Sequence, residues 1–97
     1  MSYKLKFLPS ALKEWGKLDR GIREQFKKKL AERMEAPHVP GDRLRGYPED
    51  YYKIKLRSAG YRLAYLVREQ ELVVLVVGIG KREGVYEKLR LRLKKRP

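Results

Sequence analysis

Three bases alternate with three apolar residues in Tyr52-Lys53-Ile54-Lys55-Leu56-Arg57. After Ser58-Ala59-Gly60 the alternation resumes at Tyr61-Arg62-Leu63, and Lys81-Arg82 closes an apolar run that begins at Leu72. Such residues suit phosphate chemistry. Arginine stays protonated and offers a planar fork of donors to a phosphoryl group. RNA cleavage by its own 2′-hydroxyl needs a base for the 2′ proton, stabilisation of the phosphorane, and a proton for the departing 5′-oxygen. Histidine commonly moves these protons. The single histidine, His38, lies outside this run, between Pro37 and Val39, and reads as a surface residue. A lysine among other cations loses its proton more readily, because like charge disfavours the charged form. Lys53 and Lys55 are therefore candidate bases. The alternative is a solvated strand face, with long cationic chains splayed into water.

The 97 residues include 25 Lys and Arg against 12 Asp and Glu, a formal net charge of +13. This length makes one domain spanning 1–97 with one modest core. With no cysteine, disulfides and thiol nucleophiles are excluded, and a single histidine leaves no multi-histidine metal site. We expect no metal and no cofactor. The N-terminus lacks the apolar core of a signal peptide, and the longest apolar run is far below the ~20 residues of a membrane span. A soluble cytoplasmic protein with a polyanionic partner and no membrane contact is expected. Residues 1–50 carry 12 bases and 8 acids, and residues 51–97 carry 13 bases and 4 acids. The excess is concentrated in the second half, as a binding surface would require.

Several elements must position these bases. Tyr3–Leu8 reads as a strand. Ser10 is placed to cap a short helix over Ala11–Lys17, with Leu12, Trp15 and Leu18 on its inner side. Asp19 is placed to cap a second helix over Arg20–Glu35, striped by Ile22, Phe26, Leu30 and Met34. Residues 37–50 read as a loop, broken by Pro37, Pro40, Gly41, Gly46 and Pro48. Strands follow over Tyr51–Arg57 and Tyr61–Val67. Leu72–Gly80 reads as a central strand covered on both faces. Val85–Lys95 fits either a helix or a strand, and a helix is preferred. The fold class is α+β, ordered β-α-α-β-β-β-(α), an antiparallel-rich sheet with two helices packed on one face.

Parity sharpens the hairpin. Tyr52, Ile54 and Leu56 must share a face with Tyr61, Leu63 and Tyr65, because a one-residue slip turns one set outward. The simplest register sets Leu56 against Tyr61, Ile54 against Leu63, Lys55 against Arg62 and Lys53 against Ala64. Like charges directly opposed are destabilising. A bound phosphate relieves that repulsion, and Lys81-Arg82 would join the cluster if their strand lies beside this hairpin.

Arg43-Leu44-Arg45-Gly46, the run Tyr52 to Leu63, and Gly80-Lys81-Arg82-Glu83 together resemble the RelE toxins of bacterial toxin–antitoxin pairs. Leu12-Lys13-Glu14-Trp15 and Arg23 to Leu30 are similar to that family's two helices, so the resemblance spans most of residues 3–86. It implies a RelE-like microbial ribonuclease fold. The implied activity is a metal-independent, ribosome-dependent mRNA interferase that cuts message in the A site and blocks translation. The implied partners are the 70S ribosome with its mRNA, 16S rRNA, and a neutralising RelB-like antitoxin. Lys53 and Lys55 match the strand lysines of base catalysis and mRNA binding. Arg62 matches the arginine that stabilises the phosphate, and Arg82 the arginine of phosphate and leaving-group chemistry. Tyr86 matches the tyrosine that stacks on the message, although the 82–86 stretch looks shorter than in the best-known members.

Other bases keep two readings. Arg43, Arg45, Arg57 and Lys81 are candidate RNA contacts, although Arg45-Gly46 can simply shape the loop. Lys27, Lys28 and Lys29 are either the solvated face of the second helix or an rRNA contact. The basic segment 84–97 is an rRNA contact or a frayed tail. A ParE-like gyrase inhibitor of the same fold, and a non-catalytic rRNA-binding protein, are the competing functions.

Overall fold

A computed structural model describes residues 2–47, 49–82 and 84–94, with the side chains of Leu93 and Lys94 outside the description. Strand β1 (Lys4–Phe7) turns its lysines to solvent and Leu5 and Phe7 inward. Helix α1 (Pro9–Gly16) begins on Pro9, whose fixed φ suits a first helical position. Ser10 therefore falls inside the first turn, and Leu8 occupies the N-cap position without a side-chain bond. The inner side of α1 is Ala11 and Trp15, continued by Leu18 beyond its end. Leu12, expected there, is 54% exposed. Helix α2 (Arg20–Glu35) has the expected bounds, but Asp19 makes no side-chain capping bond. Phe26 and Leu30 are buried along its stripe, with Ile22 and Met34 packed beside them.

A 3-10 turn (Pro40–Asp42) leads to β2 (Tyr51–Leu56), β3 (Tyr61–Arg68) and β4 (Val73–Lys81). Arg57 leaves the strand and starts the turn over residues 57–60. Helix α3 spans Gly84–Lys94, so the helical reading of the basic segment holds there. Pro48, Glu83 and residues 95–97 lie outside the described residues.

The sheet order is β1-β4-β3-β2, with β1 parallel to β4 and the other pairs antiparallel. The hairpin has the simplest register that parity allows, including Lys55 opposite Arg62 and Lys53 opposite Ala64. Helices α1 and α2 cover one face, through a core that includes Ile54, Leu63, Tyr65 and Val76. Helix α3 does not join them. Leu89 packs on the opposite face with Tyr51, Ala64, Leu66 and Val77, so β4 is covered on both sides.

A bulge interrupts the β3–β4 ladder: Ala64 pairs with Gly78 but Tyr65 pairs with Val76, leaving Val77 as the extra residue. An extra residue reverses side-chain parity beyond it. Val74, Val76 and Ile79 therefore all face α1 and α2, while Gly78 and Gly80 face α3. Helix α3 packs directly over both glycines, at ordinary van der Waals distance. A β-carbon at Gly78 would sit 3.4 Å from Val85 Cγ2, and one at Gly80 would sit 3.6 Å from Val85 Cα.

β4 outruns β1, so its edge beyond Val76 needs other partners. Side chains supply them. Ile79 N–H donates to Glu14 Oε1 at 3.0 Å, Arg92 Nη1 donates to Val77 O at 2.8 Å, and Lys88 Nζ approaches Ile79 O at 3.4 Å. Glu14 also pairs with Arg92 at 2.8 Å and Lys88 at 3.1 Å, tying α1 to α3. Burial works to raise the Glu14 carboxyl, but bonds from Arg92, Ile79 N–H and Lys88 outweigh it and hold it below the usual range. Its ionised form thus favours the folded state above the ordinary carboxylate pKa of about 4.3, and that contribution disappears as pH falls through the lower folded-state value. Glu14→Ala should cost about 1–3 kcal/mol at neutral pH. Urea titrations across pH should find the gap between Glu14→Gln and the unaltered protein constant above about pH 5 and shrinking below about pH 4.

Candidate active site

Two rows of side chains cross the α3 face of the sheet. Lys55, Arg62 and Gly80 form one, and Lys53, Ala64 and Gly78 the other. Each row ends on a glycine of β4, over which α3 packs. The cations consequently stand beside that helix instead of beneath it. Lys53, Lys55 and Arg62 are half-buried, and none makes an ion pair among the described residues. Arg62 Nη1 reaches only its neighbour's carbonyl, Tyr61 O, at 3.3 Å, and its buried Nε has no partner among the described residues. A guanidinium so placed retains donors for an incoming anion.

Arg82 reaches the hairpin from the end of β4. Its N–H donates to Gly60 O at 2.7 Å, and its Nε lies 3.8 Å from where a Gly60 β-carbon would stand. Arg82 has φ +48°, a left-handed conformation that L-residues adopt at a cost. Gly60, at φ +73°, supplies both the turn and the open space. Tyr86, on α3, packs its half-buried ring beside the cluster of Tyr51, Ala64 and Leu89. Tyr86 thus lies on the same face of the sheet as Lys53 and Lys55.

The remaining candidates are dispersed. Lys81 pairs with Tyr61, and the bulge turns it to the α1–α2 side, where its Nζ lies 5.7 Å from the Tyr61 ring centre. It does not join the Lys53, Lys55 and Arg62 face. Arg43 forms an ion pair with Asp50, at the outer edge of β2. Arg45 is exposed in the loop and Arg57 in the hairpin turn. Lys27 pairs with Glu24 at 3.2 Å, and Lys28 is exposed on α2.

His38 stays outside the cluster. Its Nδ1 lies 2.9 Å from Tyr52 Oη and its Nε2 2.6 Å from Glu69 Oε1, which also accepts from Tyr3 Oη at 2.7 Å. The bonds from His38 and Tyr3 lower the Glu69 carboxyl. Sequence reasoning missed Arg33. Its guanidinium donates to Asp42 Oδ2 at 2.6 Å, Tyr65 Oη at 2.9 Å and Lys53 O at 3.2 Å. It thereby anchors β2 at one of the candidate bases. The available signal was a cation three residues after Leu30 and seven after Phe26, on the apolar stripe.

No group of three or more potential metal ligands occurs among the described residues. The site offers amines and guanidiniums with no carboxylate paired to them among the described residues, which suits binding and polarising a phosphodiester.

Fold and site together belong to a class of small α+β toxins: residues 5–86 match the family model for the ParE toxin of the type II toxin–antitoxin system, parDE, and the chain belongs to that family. Within it the similarity is to RelE. The chain is 55% identical over 83 residues to the mRNA interferase toxin RelE of Escherichia coli strain K12, covering 86% of each. The isolated E. coli RelE toxin, crystallised in its P21 form, superposes with a TM-score of 0.81 at 49% identity, covering 95% of this chain and 99% of that one. A chain of the intact E. coli RelBE toxin–antitoxin complex gives 0.80 at 52% identity, covering 84% and 99%.

The left-handed backbone at Arg82 separates its stability from its charge. Arg82→Gly and Arg82→Ala both remove the cation, but only glycine relieves the strain. Thermal unfolding should place Arg82→Gly about 1 kcal/mol above Arg82→Ala. Equal melting temperatures would mean that the strain is not felt.

Proposed function

We propose that this chain is an mRNA endoribonuclease that cuts message in the ribosomal A site. The carrying observation is the carboxylate-free row of Lys55 opposite Arg62, with Lys53 alongside, in a chain 55% identical to an mRNA interferase toxin. Lys53 or Lys55 takes the 2′ proton. The 2′-oxygen then bonds to phosphorus as the bond from phosphorus to the 5′-oxygen breaks. Arg62 holds the non-bridging oxygens where charge accumulates. Arg82 supports the same phosphate and the departing 5′-oxygen, which takes a proton from solvent. The products are a 2′,3′-cyclic phosphate and a 5′-hydroxyl. Tyr86 stacks on a base and orients the message.

The net charge of +13 suits docking against 16S rRNA phosphates in the 70S ribosome. Likeness to a chain of the RelBE complex supports control by a RelB-like antitoxin, which would oppose the basic surface with acidic residues. No helix among the described residues is long and apolar enough to cross a membrane, which is compatible with work in the cytoplasm.

Ribosomes programmed with a defined message, followed by mapping of mRNA ends, test this reading. Cuts should fall at the A-site codon and vanish without ribosomes. Arg62→Ala and Arg82→Ala should each slow cleavage by about 10²–10³-fold while remaining folded. Full activity in both would remove the site assignment. Intact message with lost DNA supercoiling would instead support a ParE-like gyrase inhibitor.

A further inference from the structure

A hollow of about 180 Å³ lies between α2 and the outer edge of β2, lined by Lys29, Arg33, Asp42, Ile54, Lys55 and Arg57. Four of these six are cations and one is a carboxylate. The carboxylate is already engaged, because Asp42 accepts from Arg33 Nη2 at 2.6 Å. Arg33 is engaged too, through Tyr65 Oη and Lys53 O, and its side chain is only 12% exposed. Lys29, Lys55 and Arg57 remain, and none forms an ion pair among the described residues.

These three come from separate places: α2, β2 and the hairpin turn. Lys29 stands one helical turn before Arg33, so the contact of Arg33 with Lys53 O brings Lys29 toward β2 as well. A liquid water occupies about 30 Å³, so the hollow admits a phosphate group with a few waters. Lys55 lines this hollow where β2 forms the edge of the sheet, and strand alternation sets its side chain in the row of Arg62 on the other face, with the Arg62 Cα about 4.5–5.5 Å away across the ladder. Anions at the two positions would thus be neighbours on one strand.

We infer that this hollow binds a backbone phosphate of the substrate RNA, next to the phosphate that is cleaved, with Lys29 and Arg57 as positioning residues. The inference rests on the nuclease reading above and adds a subsite to it. Neither residue touches the reacting atoms, so each acts on binding and not on the chemical step.

The probe is a short single-stranded RNA carrying 2′-O-methyl groups, which binds but cannot be cut. Lys29→Ala should weaken its binding about tenfold or more and reduce the dependence of log K on log salt by about one. On programmed ribosomes KM should rise while kcat stays near that of the unaltered protein. Lys29→Arg should restore affinity, and circular dichroism should find both variants folded. Unchanged affinity and salt slope in Lys29→Ala would overturn the subsite while cleavage by the unaltered protein continued. Weaker binding to message-free 70S ribosomes, with oligonucleotide binding intact, would also overturn it, by moving the phosphate to ribosomal RNA. Failure of the unaltered protein to cut message at all would instead unseat the nuclease reading.

Discussion

Lys55 and Arg62 face each other because apolar burial fixes the parity of the hairpin and the short turn over residues 57–60 fixes its register. Ile54, Leu56, Leu63 and Tyr65 are buried on the opposite side of the same two strands. Burying one such side chain is worth about 1.5–3 kcal/mol, whereas a directly opposed like-charge pair costs well under that, about 0.2–1 kcal/mol. A one-residue slip would separate the cations but expose the whole apolar set. Apolar burial therefore enforces the electrostatic conflict. The conflict becomes useful because an incoming phosphate meets cations that have no carboxylate partner among the described residues to surrender.

The bulge at Val77 has comparable reach. It lets Val76 and Ile79 share the α1–α2 core, and it puts Gly78 and Gly80 where α3 must approach. The same inserted residue decides which charges can cooperate. Without it Lys81 would stand on the face of Arg62; with it Lys81 lies over Tyr61, on the other side. Arg82 returns to the hairpin only through the left-handed turn that follows, held by its bond to Gly60 O.

Parity made part of this legible in advance. An alternating strand has two faces, so Tyr52, Ile54 and Leu56 had to share one with Tyr61, Leu63 and Tyr65, and the simplest register that does so is present. The length and inner stripe of α2 were legible for the same reason, since four apolar residues recur at one spacing. What escaped depended on tertiary detail. A bulge within an almost uniformly apolar strand leaves no periodic trace, so the side occupied by Lys81 could not be read. In α1, Ala11 is small enough to touch the sheet, and its closeness moves Leu12 to the outside. Arg33 reads as surface charge until the loop carrying Asp42 folds over it.

The placement of the acids gives the net charge its meaning. Glu14 closes the edge of β4 with Arg92 and Lys88. Asp42 locks Arg33, Asp50 engages Arg43, and Glu69 receives His38 and Tyr3. The Glu14 and Glu69 contacts join elements that are distant in sequence, and none of these four acids pairs with Lys53, Lys55 or Arg62. A surface ion pair contributes little by itself, roughly 0–1 kcal/mol, so stability alone does not require the acids to sit at those junctions. Their consequence is the field they leave behind. With these four carboxylates engaged elsewhere, the long-range attraction for a polyanion and the short-range receptor for one phosphate converge on the same strands.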